Sequence, residues 1–139
     1  MAEEVFRQYI VQHDNPRDWH IDSAGIGSWH VGDLPDHRMR RVAEQHGYTL
    51  TMRARQVCAA DFHRFDYIVA MDRENIHDLR RIASSKQEAG KILSIAAFLA
   101  AHTVQETIPD PYYGTDRDFH FVIELLEDAV VGLYSHIAK

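Results

Sequence analysis

Short apolar segments alternate with amphipathic segments along this chain, and that alternation restricts its fold more than any other feature. Residues 67–71, Tyr-Ile-Val-Ala-Met, form a continuous apolar run typical of a strand that is covered on both faces. Residues 19–23 alternate like a short strand, and residues 91–94 are predicted to form another. Helices are predicted around these strands, at residues 1–13, 35–47, 59–65, 73–82 and 119–137.

Several of the predicted helices carry their own start and stop signals. Pro35 is suited to the first turn of a helix, and Gly47 is suited to ending it. Asp72 is a plausible N-cap for the helix that follows the apolar run. The C-terminal helix is the clearest prediction, because one apolar stripe runs along it through Phe119, Val122, Ile123, Leu126, Val130, Leu133 and Ile137.

Strands that alternate with helices imply a parallel sheet with helices packed on it. The predicted fold class is therefore α/β, with three layers and a short parallel sheet. Two features are unusual for this class. Only three strands are visible, and the series opens on a helix with no strand ahead of it. Ligands of such folds bind where the first strand turns into its helix, and here that turn would lie before residue 1.

The composition excludes several kinds of protein. The chain has 139 residues, the size of one ordinary domain, and a net charge of −6, which argues against nucleic acid or an anionic membrane as partners. No apolar run approaches the roughly 20 residues that cross a bilayer. Cys58 is the only cysteine, which favours a cytoplasmic location. The ten histidines are scattered without metal-ligand spacing, so neither a metal nor another cofactor is expected.

Two segments carry candidate functional residues. Asp110 stands between two prolines and ahead of Tyr112 and Tyr113, so a rigidly held acid could donate a proton beside an aromatic wall. The structural alternative is a turn with exposed tyrosines. Trp29 lies in a glycine-rich segment, residues 22–36, that follows a predicted strand. Its ring is either a ligand wall or a lid over the core.

Taken in order, several short motifs make the whole chain resemble the low-molecular-weight protein tyrosine phosphatases. The motifs are specific as a set and weak one by one. They are Met-Ala-Glu-Glu-Val-Phe at 1–6, Asp-Ser-Ala-Gly at 22–25, Trp-His-Val-Gly at 29–32, Pro-Asp at 35–36, Ala-Arg-Gln-Val at 54–57, Asp-Phe at 61–62, Phe-Asp-Tyr-Ile-Val at 65–69, Met-Asp at 71–72, and Asp-Pro-Tyr-Tyr-Gly at 110–114. The resemblance implies a fold like phosphotyrosine protein phosphatase I.

The resemblance also implies a mechanism. In that family a cysteine attacks phosphotyrosine and becomes a phosphocysteine, while backbone N–H groups and an arginine hold the phosphate at a helix N-terminus. Asp110 matches the general acid and base. Trp29, Tyr112 and Tyr113 would line the slot for the substrate ring, and Ser23 would brace the phosphate loop. The implied partners are a phosphotyrosine protein or a small aryl phosphate.

The chain departs from the family at the nucleophile. The family's first strand and its Cys-x5-Arg-Ser-Pro loop lie immediately before the match to Met1, and the 139 residues do not contain them. Cys58 and Arg64 fit the bare spacing, but the segment between them has no glycine and contains Asp61, which would repel phosphate. We therefore expect a structural turn and a short helix at Cys58–Arg64. Residues 1–139 as a whole are expected to form a single phosphatase-like domain that is truncated at its N-terminus. As given, this chain is expected to be inactive.

The absent strand has a predicted consequence for the fold. The resemblance puts it inside the sheet, between residues 19–23 and 67–71. Its buried side chains would contribute on the order of 7–15 kcal/mol, comparable to a whole domain's stability. The chain is therefore expected to aggregate, to rearrange its sheet, or to self-associate by swapping elements through the gap. Two alternative functions remain: a non-catalytic dimerisation or interaction module, and an arsenate reductase-like protein, which the single cysteine disfavours.

Overall fold

The computed structural model describes residues 1–27, 31–102, 105, 107–109 and 114–138. Two parallel strands, β1 (Ile68–Ala70) and β2 (Ile92–Ser94), pair in the register Ile68–Ile92, Val69–Leu93 and Ala70–Ser94. Two 3-10 turns lie at Pro16–Asp18 and Ile95–Phe98. The α-helices are α1 (Ala2–His13), α2 (His37–Gln45), α3 (Asp61–Arg64), α4 (Arg73–Ile82), α5 (Lys86–Ala89) and α6 (Asp116–Ile137).

Side-chain caps fix the starts of α2 and α4. Asp72 accepts a hydrogen bond from the Asn75 N–H at 2.7 Å, so its predicted N-cap role is confirmed. At α2, Asp36 is the cap and accepts from the Arg38 N–H, which places the helix start just after Pro35. Gly47 has a φ of +87°, a left-handed conformation that glycine adopts without strain, and it follows the end of α2 as predicted.

The two faces of the sheet pack against different helices, which gives the predicted three-layer α/β arrangement. Val69 and Met71 point to a core built mainly from α1 and α6. Ile68 and Ala70 point the other way, to a cluster that contains Phe62 of α3 and residues of α4. Side chains alternate along β1, and each face is covered, which explains why its sequence is apolar throughout.

Helix α6 contributes the largest part of the core. Its 22 residues include a buried stripe that agrees with the predicted one, apart from Ile137, which is half-buried. The buried members are Phe119, Val122, Ile123, Leu125, Leu126, Ala129, Val130 and Leu133. α2 packs on the same helix through Val42, beside Phe119 and Ile123.

The strand predicted at residues 19–23 is wrong. Within the described part of the chain, these residues pair with no strand, although Trp19 has an extended backbone. Trp19 and Ile21 contact α1 instead. The Trp19 ring meets Phe6 edge-on at 5.7 Å between centroids, and Arg7 donates to the Ile21 carbonyl at 3.1 Å. An alternating sequence forms a strand only where a neighbouring backbone accepts its hydrogen bonds.

No helix in the described ranges is both long and apolar enough to span a bilayer.

Candidate functional site

The predicted site residues divide into two groups. Trp29, Asp110, Tyr112 and Tyr113 lie outside the described residues, and so their roles stay predictions. Ser23 is described, and so are the residues that flank the others along the chain. Below, the Asp110 segment means residues 99–114 and the Trp29 segment means residues 22–36. The flanking contacts show where each segment is attached to the fold.

The carboxyl end of β1 holds the chain just before Asp110. The N–H of buried Ile108 donates to the Met71 carbonyl at 2.9 Å, immediately after β1 ends. Pro109 follows directly in the chain. In parallel α/β sheets this edge is where ligands bind. Ile108 and Pro109 therefore follow the sheet edge at which ligands of such folds bind.

The chain just after the tyrosines is attached to α2 and α6. Gly114 accepts a hydrogen bond through its carbonyl from Arg38 Nη1 at 3.2 Å. The next residue, Thr115, forms a capping box with Asp118, whose carboxylate accepts the Thr115 N–H at 2.8 Å. A Cβ on Gly114 would collide with the Asp118 carboxylate, so a larger residue there would displace the side chain that completes the capping box.

The beginning of the Asp110 segment is held by one carboxylate. Asp128 of α6 accepts the N–H groups of Ala100, Ala101 and His102 at 3.1–3.3 Å, and its Oδ2 lies 3.1 Å from the His102 ring Nδ1. Burial would raise the pKa of Asp128, but the hydrogen bonds from His102 and the three backbone groups outweigh it and lower that pKa. Asp128 therefore stays charged and fixes this turn.

The Trp29 segment is attached to residues 53–57. Gly25 forms a parallel bridge with Gln56. The Gly25 N–H donates to the Arg55 carbonyl at 2.9 Å, and the Gly25 carbonyl accepts from the Val57 N–H at 2.8 Å. Beyond Trp29, the Gly32 N–H donates to the Ala54 carbonyl at 2.7 Å. The chain on both sides of Trp29 is thus bonded to the same short stretch.

Ser23 lies at the amino-terminal end of α1. Its hydroxyl donates to Glu3 Oε1 at 2.6 Å, and the other oxygen of that buried carboxylate accepts from Arg7 Nη2 at 2.7 Å. Arg7 also pairs with Glu4 at 2.9 Å. Ser23 is therefore hydrogen-bonded beside a helix N-terminus, the part of a helix that favours anions. Its predicted role of bracing a phosphate loop stays a prediction.

The segment from Cys58 to Arg64 forms a turn and the short helix α3, which confirms the structural interpretation of its spacing. The N–H groups of residues 61–64 donate to carbonyls three or four residues earlier, starting with Asp61 N to Cys58 O at 3.0 Å. The Cys58 N–H donates to the Asp61 carboxylate at 2.8 Å. Cys58 itself is exposed. A carboxylate occupies the place that a phosphate loop would keep for its anion.

Asp61 also joins the Cys58 turn to the Trp29 segment through Arg55. The guanidinium binds both Asp61 oxygens, at 3.0 and 3.1 Å, and its Nε binds Asp22 at 3.0 Å. Burial raises the pKa of Asp61, but the hydrogen bonds from Arg55 and the Cys58 N–H outweigh that effect and lower the pKa below its ordinary value. This carboxylate is consequently a structural anion.

In the parts of the chain that the structure covers, no three histidine, cysteine, aspartate or glutamate side chains come together as a metal site would require.

Sequence reasoning did not assign roles to three residues that attach these segments: Arg38, Arg55 and Asp128. Arg55, Asp22 and Asp61 all lie within the motifs at residues 54–57, 22–25 and 61–62, but the motifs did not indicate that these side chains pair. No sequence signal indicated the bond from Arg38 to Gly114, 76 residues away, or the role of Asp128, whose partners stand 26–28 residues away.

Comparisons with known proteins agree on one group. A family model described as low molecular weight phosphotyrosine protein phosphatase matches residues 1–139. A low molecular weight protein-tyrosine-phosphatase of Streptomyces coelicolor is 36% identical over 140 residues, covering 100% of this chain and 85% of its own length. A low molecular weight phosphotyrosine protein phosphatase of Gallus gallus is 36% identical over 126 residues, covering 89% of this chain and 78% of its own length. A crystal structure of a protein tyrosine phosphatase from Entamoeba histolytica superposes with a TM-score of 0.94, at 37% identity, covering 99% of this chain and 86% of the other.

Proposed function

Because the chain belongs to the low molecular weight phosphotyrosine protein phosphatase family, we propose that its residues carry the acid and ring-binding half of a phosphotyrosine hydrolase. The observation that supports this most directly is the hydrogen bond from the Ile108 N–H to the Met71 carbonyl at 2.9 Å. It attaches the chain next to Pro109-Asp110 at the carboxyl edge of the sheet. A proton donor is needed at that edge if the substrate binds there.

The proposed reaction has two steps. A thiolate attacks phosphorus, the bond from phosphorus to the phenolic oxygen breaks, and Asp110 gives its proton to the departing oxygen. Water then attacks the phosphocysteine, Asp110 takes a proton from that water, and the phosphorus–sulfur bond breaks. Trp29, Tyr112 and Tyr113 are proposed to flank the aryl ring, and Ser23 to brace the phosphate loop.

Cys58 is not the proposed nucleophile. Its backbone N–H donates to the Asp61 carboxylate, and the N–H groups of residues 61–64 donate to carbonyls of the same turn and α3. A polypeptide of these 139 residues is therefore expected to be inactive, since Cys58 is its only thiol. Hydrolysis of p-nitrophenyl phosphate should stay at the buffer rate, both for the unchanged chain and for Cys58→Ser. Turnover that disappears in the serine variant would contradict the proposal.

The roles of the other residues can be tested in a chimera. In it, the strand and Cys-x5-Arg-Ser-Pro loop that the family resemblance assigns ahead of Met1 are taken from the Streptomyces coelicolor relative. The chimera is expected to hydrolyse p-nitrophenyl phosphate. Asp110→Asn should lower kcat by about 100-fold or more, the usual contribution of a general acid, and most strongly for poor leaving groups. An unchanged kcat would remove Asp110 from the mechanism.

We also propose that the 139-residue chain, which we regard as one cytoplasmic domain, self-associates through β1. Within the described residues β1 pairs with β2 along one edge only, and an open edge is a template for a second strand. The proposed occupant is β1 of a second copy. Sedimentation at several concentrations should show a dimer that dissociates on dilution. A monomer with a sharp two-state melt at micromolar concentration would contradict this.

A further inference from the structure

We propose that Arg38 is a positioning residue that joins Asp36, the last residue of the Trp29 segment, to Gly114, the last residue of the Asp110 segment. The inference rests on the proposed function, because it gives a purpose to contacts on either side of the predicted ring-binding residues. Arg38 itself touches no substrate in this proposal. It acts on the backbone at Gly114, one residue after Tyr113, and on Asp36, at the end of the Trp29 segment.

The first contact is with Asp36. Arg38 Nε lies 3.3 Å from Asp36 Oδ1, and Nη2 lies 3.3 Å from Oδ2, so the guanidinium and carboxylate face each other in the two-point arrangement that favours arginine. Asp36 is at the same time the N-cap of α2. The end of the Trp29 segment, the start of α2 and the guanidinium are therefore joined in one rigid unit.

The second contact reaches the other segment. Arg38 Nη1 donates to the Gly114 carbonyl at 3.2 Å, across 76 residues of sequence. The same guanidinium lies over the Phe119 ring, with its central carbon 5.1 Å from the centroid. Phe119 is a buried residue of α6. The Phe119 ring packs against one face of the guanidinium, and the nitrogen atoms of the guanidinium contact Asp36 and Gly114.

A neighbouring ion pair, Arg41–Asp116, also joins α2 to α6, so a link between these two helices does not by itself distinguish Arg38. Arg41 binds both oxygens of Asp116 at 2.8 and 2.9 Å, and those side chains are 52% and 51% exposed. The Arg38 and Asp36 side chains are only 29% and 24% exposed. Exposed pairs contribute little, and Arg41 contacts neither segment through an observed hydrogen bond to its backbone. Arg41 is therefore a matched control.

The geometry requires arginine. Three nitrogen atoms of one planar group are used, two toward Asp36 and one toward Gly114. A lysine ammonium is a compact charge without a planar fork, and it cannot make these contacts in the same plane over a ring. Arg38→Lys keeps the charge and most of the apolar stem, and so it separates positioning from simple electrostatics or packing.

The test measures hydrogen exchange of the 139-residue chain, read peptide by peptide. In Arg38→Gln and in Arg38→Lys, backbone amides in residues 31–36 and 114–118 should exchange about tenfold faster or more, the change expected when hydrogen bonds from a charged donor are lost. Amides in β1 and β2 should keep their rates. Asp36→Asn, which keeps an N-cap oxygen but removes the charge, should affect the same two regions.

A second readout follows the indole directly. In a Trp19→Phe background Trp29 is the only tryptophan. Its quenching by acrylamide should rise in both Arg38 variants and stay unchanged in Arg41→Gln. Unchanged exchange in either region, full rescue by lysine, or an equal rise throughout the sheet would overturn the proposal. Neither measurement depends on turnover, so a negative result in the phosphatase assays would not change the outcome of this test.

Discussion

Replacing Asp128 with asparagine should destabilise the fold by an amount that the observed contacts allow us to work out. The carboxylate is 12% exposed and accepts hydrogen bonds from three consecutive backbone N–H groups and the His102 ring. Hydrogen bonds to a charged group contribute about 1.5–3 kcal/mol each, but asparagine keeps one acceptor oxygen and water can reach Ala100 and Ala101. The expected net loss is about 2–3 kcal/mol, or about 6–12 °C in Tm at this chain length.

The loss should depend on pH with a definite sign. The pKa of Asp128 is lowered in the folded protein, so the folded state holds its proton more weakly than the unfolded state does. The stabilisation is therefore complete above the ordinary aspartate pKa of about 3.9 and is lost as the pH falls through the lower folded value. The difference between the parent and Asp128→Asn should be constant near neutral pH and shrink in acid.

Urea denaturation followed by circular dichroism measures both effects, with all variants at one protein concentration. Glu124→Gln is the matched control, since Glu124 is an exposed carboxylate on the same helix, and its effect should stay within about 0.5 kcal/mol. If Asp128→Asn unfolds at the same urea concentration as the control, the carboxylate does not hold the beginning of the Asp110 segment, and the reasoning is refuted.

Three further substitutions test other parts of the fold by the same denaturation measurement. Gly132→Ala should cost about 1 kcal/mol despite alanine's helix preference, because the new methyl would lie 3.0 Å from the Phe98 carbonyl oxygen; a gain in stability would contradict this. Asp61→Asn should cost about 2–3 kcal/mol by leaving Arg55 without its buried partner, and a cost near zero would show that the pair is dispensable. Cys58→Ser should change stability by less than about 0.5 kcal/mol because the side chain is exposed, whereas a large loss would indicate an unrecognised packing role.

The elements with strong local patterns were predictable from the sequence. The stripe of α6, the apolar run at β1 and the Asp72 cap depend on neighbours a few residues away, and the structure confirms them. Helix α5 was missed although its signal was present. Ser85 stands three residues before Glu88, and its hydroxyl accepts the Glu88 N–H at 3.1 Å, as an N-cap followed by an acidic residue predicts.

The strand predicted at residues 19–23 shows the limit of periodicity. An alternating pattern indicates which side chains can be buried, but it does not show whether they pack on a helix or belong to a paired strand. Here Trp19 and Ile21 contact α1. Prediction of the candidate site was limited in the same way, because local patterns do not reveal contacts between distant residues. Motifs predicted roles for Ser23 and Asp110, but the bond from Arg38 to Gly114 joins residues 76 apart and depends on how α2 packs on α6.

Peptide mapping of the covalent intermediate tests the central claim most directly. The chimera is mixed with p-nitrophenyl phosphate, quenched within one turnover, digested and analysed by mass spectrometry. The account predicts a phosphate on the cysteine of the supplied Cys-x5-Arg loop and none on the peptide that contains Cys58. A phosphorylated Cys58 would contradict it, because the Cys58 N–H donates to the Asp61 carboxylate and the N–H groups of residues 61–64 are already bonded to carbonyls.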